Sequence, residues 1–111
     1  MFDSPRLGMC YDSGHGNHIK SNGTGREMLR RFGHRLMALH LHDNNGLGDQ
    51  HLFPFDGTVD WPPLMREIAA HGYKGPTTLE LNDNYPELTM EEFLQASFAR
   101  AKKLDDLRKQ Q

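Results

Sequence analysis

The chain reads as an α/β fold of three consecutive β/α units, with parallel strands and the helices on the outside. Two observations predict this. Short apolar runs alternate with helical patterns in the order β-α-β-α-β-α, and parallel strands need helical crossovers of that kind. Polar residues also gather where the apolar runs end: Asp12 and His15 after the first, His40 and His42 at the end of the second, Glu80 near the end of the third.

Each element has a local reason. Leu7 to Tyr11 is a short apolar run leading into Asp12-Ser13-Gly14-His15, which reads as a buried strand entering a loop. Cys10 within it reads as a small buried apolar residue. Gly16 to Gly25 is polar and glycine-rich, and reads as loop. Arg26 to Phe32 places Met28, Leu29 and Phe32 at helical spacing, with Gly33 as the expected stop. Arg35 to His42 is the second strand, and Asp43 to Thr58 a polar loop. Asp60 is the expected N-cap of a helix whose first turn holds Trp61, Pro62 and Pro63, with Trp61, Leu64, Met65 and Ile68 as its apolar stripe and Gly72 as its end. Thr77 to Leu81 is the third strand. Thr89-Met90-Glu91-Glu92 is a capping box, opening a long helix whose buried face is expected along Leu94, Phe98, Ala101, Leu104 and Leu107.

Composition narrows the function classes. With 111 residues, the chain is expected to form one domain, and 36% hydrophobic with 25% charged residues describes a folded chain. The net charge of −2, with acids and bases interspersed, offers no electrostatic footprint for DNA or a membrane surface. A single cysteine rules out an internal disulfide and fits a reducing compartment. No apolar run reaches the ~20 residues of a membrane span, and Met1-Phe2-Asp3-Ser4-Pro5 lacks a signal peptide's character, so the cytoplasm is the expected location.

Seven histidines are many for this length, and four of them (His15, His40, His42, His51) fall at or just after strand-like runs. His18, His34 and His71 read as ordinary surface or core residues. Imidazoles and carboxylates converging from separate strand ends suit Zn, Mn, Fe or Co, and a carboxylate-rich set suits Mg or Mn. His42 stays open between a supporting role and a plain loop position. Asp43 reads as a residue that orients a histidine or caps the loop.

Five segments carry a family resemblance. Asp12-Ser13-Gly14-His15 is similar to a D-T-x-H segment, His40-Leu41-His42-Asp43-Asn44 to H-x-N/H-D-N/S, and Asp49-Gln50-His51 to D-x-H. Pro54 to Trp61 resembles P-G-x-G-x-I-D-W, and Leu79-Glu80 resembles a final strand's L-E. Each is weak alone. In register over nearly the whole chain, they identify it as resembling the xylose isomerase-like TIM barrel superfamily, which holds sugar phosphate isomerases and epimerases and AP endonuclease family 2.

The resemblance implies that residues 1–111 are the C-terminal portion of a (β/α)8 barrel, with the site at the C-terminal ends of the strands. It implies a divalent metal (Mn, Zn, Mg or Co) held by Asp12, His40 and Glu80, with Asp49 and His51 as further ligands in the endonuclease branch. Glu80 doubles as acid/base, and His15 contacts substrate in the epimerase branch or is an extra ligand in the endonuclease branch. The implied activity is isomerisation or epimerisation of a sugar or sugar phosphate by proton transfer on the metal-bound ketose or aldose. An endonuclease IV-like phosphodiesterase and a non-catalytic barrel remnant or assembly module are the alternatives. Two departures bear on this. Phe55-Asp56-Gly57 stands where the family's glycine turn does, and Gln50 where endonucleases often carry arginine; the second, with the acidic balance, points away from DNA. The family's other ligand-and-base glutamate comes from an earlier strand. The open edges of a three-stranded parallel sheet predict a homo-oligomer.

Overall fold

The computed structural model describes residues 4–82 and 84–109; the reading of Met1 to Asp3 lies outside that range. Two parallel strands form the sheet, β1 (Met9–Asp12) and β2 (Leu36–His40), with Tyr11 beside Leu39 and Asp12 beside His40. Helix α1 (Ser13–Asn17) follows β1 directly, and α2 (Thr24–Phe32) makes the crossover to β2. After the long loop come α3 (Trp61–Ala70) and α4 (Met90–Lys109).

The helices cover one face of the sheet. Tyr11, Leu39 and Leu41 meet Leu29, Trp61, Leu64, Met65, Ile68, Tyr73 and Leu104 in a single core. Alternation along the strands sends the other residues to the opposite face, so Cys10, expected as buried, is exposed. It shares that face with Asp12, His40 and Glu80.

Several expectations are corrected. The third strand shrinks to one parallel bridge between Leu41 and Leu79, closed by Leu41 N–H to Thr78 O (2.9 Å) and Glu80 N–H to Leu41 O (3.0 Å). Part of the expected loop after Asp12 is helix α1, which Asp12 itself caps by accepting the His15 N–H. Gly33 is not a left-handed stop: its φ is −60° and the chain continues into a 3₁₀ turn, Gly33–Arg35. Glycine is needed there because a Cβ would lie 2.2 Å from the His71 ring. Gly72, at φ +80°, does terminate α3. Asp60 starts α3 without a side-chain cap bond. A capping side chain takes N–H groups of the second or third helical residue, and here those residues are the prolines 62 and 63.

The capping box of α4 forms as expected, with Thr89 N–H to Glu92 Oε1 at 2.9 Å and Glu92 N–H to Thr89 Oγ1 at 3.1 Å. The expected buried face forms only in part, with Leu107 packed against the core beside Leu104. Leu104 is buried, but Leu94 and Phe98 are exposed, and Phe93 instead packs on Phe53. At 100° per residue, Leu94 lies about 80° around the helix from Leu104, whereas Phe93, eleven residues away, lies within about 20°. Among the described residues no helix is long and apolar enough to cross a membrane.

Candidate metal centre

The first two loops are locked together before any functional group is placed. Ser13 Oγ donates to His42 O (2.7 Å) and accepts from His42 N–H (2.9 Å). Asn44 Nδ2 donates to Gly14 O (2.9 Å). Gly14 must be glycine, because a Cβ would sit 2.1 Å from the His42 ring.

Asp43 organises the rest of the long loop. Its carboxylate is fully buried. It accepts four N–H groups: Asn44 (2.9 Å) and Val59 (3.0 Å) on Oδ1, Phe55 (3.0 Å) and the Trp61 indole (2.8 Å) on Oδ2. Four donors replace the water a buried anion would lose. They hold Phe55 at φ +80°, a left-handed conformation that costs a bulky residue about 1–2 kcal/mol. The Lys103 ammonium lies 3.9 Å from the centre of the Phe55 ring and helps keep it there. The expectation that Asp43 caps the loop is therefore met, on a larger scale than capping.

On this scaffold, Asp12, His40 and Glu80 come together on the uncovered face. Each offers a ligand atom, all within 4.8 Å of one another, and His40 Nδ1 lies 2.9 Å from Glu80 Oε2. Donors sharing one cation at about 2.1 Å stand no more than about 4.2 Å apart, so a small inward movement closes the set. Two carboxylates and an imidazole from three separate segments fit a divalent ion. Asp12 is half-committed. Its Oδ1 accepts from the His15 N–H (2.8 Å) and pairs with His42 Nε2 (2.8 Å), while Oδ2 faces the His15 ring at 3.3 Å. Burial pushes the Asp12 carboxyl up, but the hydrogen bonds from His42 and His15 and their charges outweigh it and hold the group below the ordinary aspartate range.

The remaining candidates border this set. His15 is largely exposed, with Nε2 at 3.6 Å from Asp49 Oδ2. His51 sits at φ +52° and turns its ring back over the site. Its Nδ1 lies 3.0 Å from Glu80 O, and Nε2 lies 3.2 Å from Asp49 Oδ1. Burial lowers its proton affinity, but the Glu80 carbonyl and the Asp49 carboxylate raise it further, so the net shift is upward. His42 is fully buried and stacked on His51, with ring centres 3.9 Å apart and planes 2° from parallel. His42, Asp49 and His51 also have donors within 4.8 Å of one another. Ring nitrogen lone pairs lie in their ring planes, and two parallel planes share no point where one ion binds both. This second group is therefore not a single ion site with both imidazoles as ligands. His42 is the residue the sequence left undecided. Its signal was the neighbouring Ser13-Gly14, whose hydroxyl and missing side chain both serve it.

The pattern of the family described as xylose isomerase-like TIM barrel matches residues 1–103. An uncharacterized protein of Sinorhizobium fredii, y4fM, is 38% identical over 106 residues, covering 96% of this chain and 33% of that protein. Fructoselysine 3-epimerase of Shigella flexneri is 38% identical over 55 residues, covering 50% of this chain and 20% of that enzyme. A crystal structure of a D-tagatose 3-epimerase-like protein superposes with a TM-score of 0.68 at 25% identity, covering 96% of this chain and 36% of that one. The chain thus spans about a third of the length of y4fM and of the epimerase-like protein.

Proposed function

The chain belongs to the xylose isomerase-like TIM barrel family, and on that premise we propose that it carries the metal-binding part of a sugar isomerase or epimerase site. The observation behind this is the convergence of Asp12, His40 and Glu80 on the one face that no helix covers. The 38% identity with fructoselysine 3-epimerase over 55 residues supports a sugar or sugar phosphate as substrate, and the open edges of the small parallel sheet are the ground for a homo-oligomer.

In this reading Asp12 Oδ2, a His40 ring nitrogen and a Glu80 oxygen hold a divalent cation such as Mn, Zn, Mg or Co. When bound, the ion polarises the carbonyl and hydroxyl oxygens of the sugar. His42 and the His15 amide fix Asp12 Oδ1, so only Oδ2 is free to turn toward the face. His51 and Asp49 brace the Glu80 end through the Glu80 carbonyl. Glu80 takes a proton from the sugar carbon beside the carbonyl; its return, to the neighbouring carbon in an isomerase or to the opposite face of the same carbon in an epimerase, falls to the family's second glutamate, from an earlier strand. His15, exposed at the rim, donates to a sugar hydroxyl.

Proton abstraction is tested without requiring the whole reaction. The chain is incubated with Mn²⁺ and ketoses such as fructose or tagatose in D₂O, and deuterium uptake at the carbon beside the carbonyl is followed by NMR. Uptake that needs the metal and is lost in Glu80→Gln supports the proposal. A chain that binds Mn²⁺ and exchanges no ketose proton is a non-catalytic module instead. The second reading, a phosphodiesterase, draws on His15 and His51 both facing Asp49. Zinc bound in excess of one ion per chain, with cleavage of abasic DNA, would select it.

A further inference from the structure

We propose that Tyr85 is a positioning residue for Glu80: its hydroxyl ties the chain that leaves Glu80 to the stretch that carries His51, and so sets where the Glu80 carboxylate stands relative to Asp12 and His40. This role rests on the reading of Asp12, His40 and Glu80 as ligands of one cation. Glu80 needs such support. Among the described residues its backbone pairs with one neighbour, Leu41, through a single bridge. A side chain anchored at one point pivots, and a working site holds its groups to within about 0.5 Å. The second hold on Glu80 is its carbonyl, 3.0 Å from His51 Nδ1. That bond is only as firm as the spacing between the two stretches of chain it joins.

Tyr85 fixes that spacing. Its hydroxyl accepts the Phe53 N–H (2.9 Å) and donates to Asp56 Oδ2 (2.7 Å), and its ring stacks on that of Phe53 with centres 4.1 Å apart. Phe53 is buried and follows His51 by two residues. Leu52, between them, exchanges both backbone hydrogen bonds with Asp43, each 2.9 Å. Asp56 is held from its other side. Arg100, on α4, donates to Asp56 Oδ1 (2.8 Å) and to the Pro54 carbonyl, with its guanidinium 5.3 Å from the centre of the Phe53 ring. The chain beyond Glu80, the loop that carries His51 and helix α4 therefore meet at one hydroxyl.

Burial, and next the bond to Asp56, push that hydroxyl up to about 12, so it stays protonated and donating at neutral pH. Its proton is committed to Asp56, which suits it to holding rather than to reacting. Loss of the hydroxyl alone leaves the Phe53 N–H without its acceptor and Asp56 Oδ2 without its donor. The stretch from His51 to Phe53 is then free to shift, and the His51 contact with the Glu80 carbonyl shifts with it.

The test is Tyr85→Phe, which keeps the ring on Phe53 and removes only the hydroxyl. In the metal-free chain, NMR should show the Glu80 amide and the His51 ring signals shifted, with helix content by circular dichroism unchanged. The Kd for Mn²⁺, read from the electron paramagnetic resonance of the free ion, should rise roughly fivefold, less than the ~10–100-fold of a group bonded directly to a metal ligand. Asp56→Ala, which leaves Tyr85 in place without its acceptor, should move both readouts the same way by less, and serves where Tyr85→Phe does not fold. Ile68→Val lowers stability from the core of α3 and should move neither, which separates positioning from general loosening. Glu80 and His51 signals that stay put in Tyr85→Phe, or that shift equally in Ile68→Val, overturn the role of Tyr85. So does a Kd unchanged in Tyr85→Phe when the wild type binds Mn²⁺, and the cation site then stands without it. A wild type that binds no Mn²⁺ while the Tyr85→Phe shifts are seen upholds the positioning of Glu80 and removes the cation reading.

Discussion

Asp12 ends β1 and Asp43 lies three residues past the end of β2, and the two aspartates have opposite surroundings. Asp43 is sealed: it is fully buried, each oxygen takes two N–H groups, and all four donors come from its own loop and the start of α3. Asp12 is half-open: Oδ1 is filled by two donors, while Oδ2 looks across an uncovered face toward His15, with His40 and Glu80 close by. The sealed carboxylate is a structural knot. The half-open one retains binding capacity for something the chain does not itself supply. A second carboxylate nearby adds electrostatic demand for a cation.

The largest effect should break the knot. Asp43→Ala leaves four donors without acceptors inside the protein, and we expect a loss of about 4 kcal/mol in urea unfolding. A loss below about 1 kcal/mol would show that water replaces the carboxylate and that the loop does not depend on it.

The next strikes the join between the two regions. Gly14→Ala drives a methyl group into the His42 ring, which Ser13 and Asp12 hold in place. The expected cost is about 2–3 kcal/mol, with Asp12 displaced as His42 moves. Unchanged stability and an undisturbed His42 NMR signal would contradict the tight contact.

The smallest sharpens the contrast through pH. The folded state holds the Asp12 carboxyl below its usual range, through bonds from His42 and His15 that outweigh burial. The unfolded chain therefore binds that proton more readily, and stability rises with pH through this window. The contribution is complete above the ordinary aspartate value of about 3.9 and is lost as pH falls through the lower folded value. Asp12→Asn should flatten this part of the acid limb. An acid limb identical in wild type and variant would show that Asp12 is not the group responsible.

The sequence made much of this readable, for identifiable reasons. Short apolar runs placed β1 and β2 and the 3.6 period placed α2 and α3, because each packs against a shared core. The third strand was overread, because five suitable residues do not pair unless a neighbouring backbone runs beside them, and only Leu41 does. The buried face of α4 was partly misassigned for a related reason. Apolar residues spread over about half the circumference of that helix, and periodicity alone does not say which part meets Phe53 and the core. Strand ends marked a wider group of histidines and carboxylates, and the family resemblance singled out Asp12, His40 and Glu80, whose ligand atoms the fold brings within 4.8 Å of one another. The support beneath them was less legible. Ser13, Gly14 and Asn44 act through loop-to-loop contacts across about 30 residues of chain, and no local pattern encodes those. Phe55 in a left-handed turn was equally invisible, since it depends on an acceptor twelve residues earlier.

The central claim is that Asp12, His40 and Glu80 form one cation site and that the stacked His42–Asp49–His51 group does not. Titration of the chain with Mn²⁺, followed by electron paramagnetic resonance of the free ion, tests it directly. The account predicts one site per chain, weakened at least tenfold by Glu80→Gln and by Asp12→Asn, and unchanged by Asp49→Asn. Saturation at a hundredfold excess over Kd should add about 2.7 kcal/mol of stability, and a chelator should remove it. Binding that survives Glu80→Gln but is lost in Asp49→Asn, or no binding at all, would contradict it.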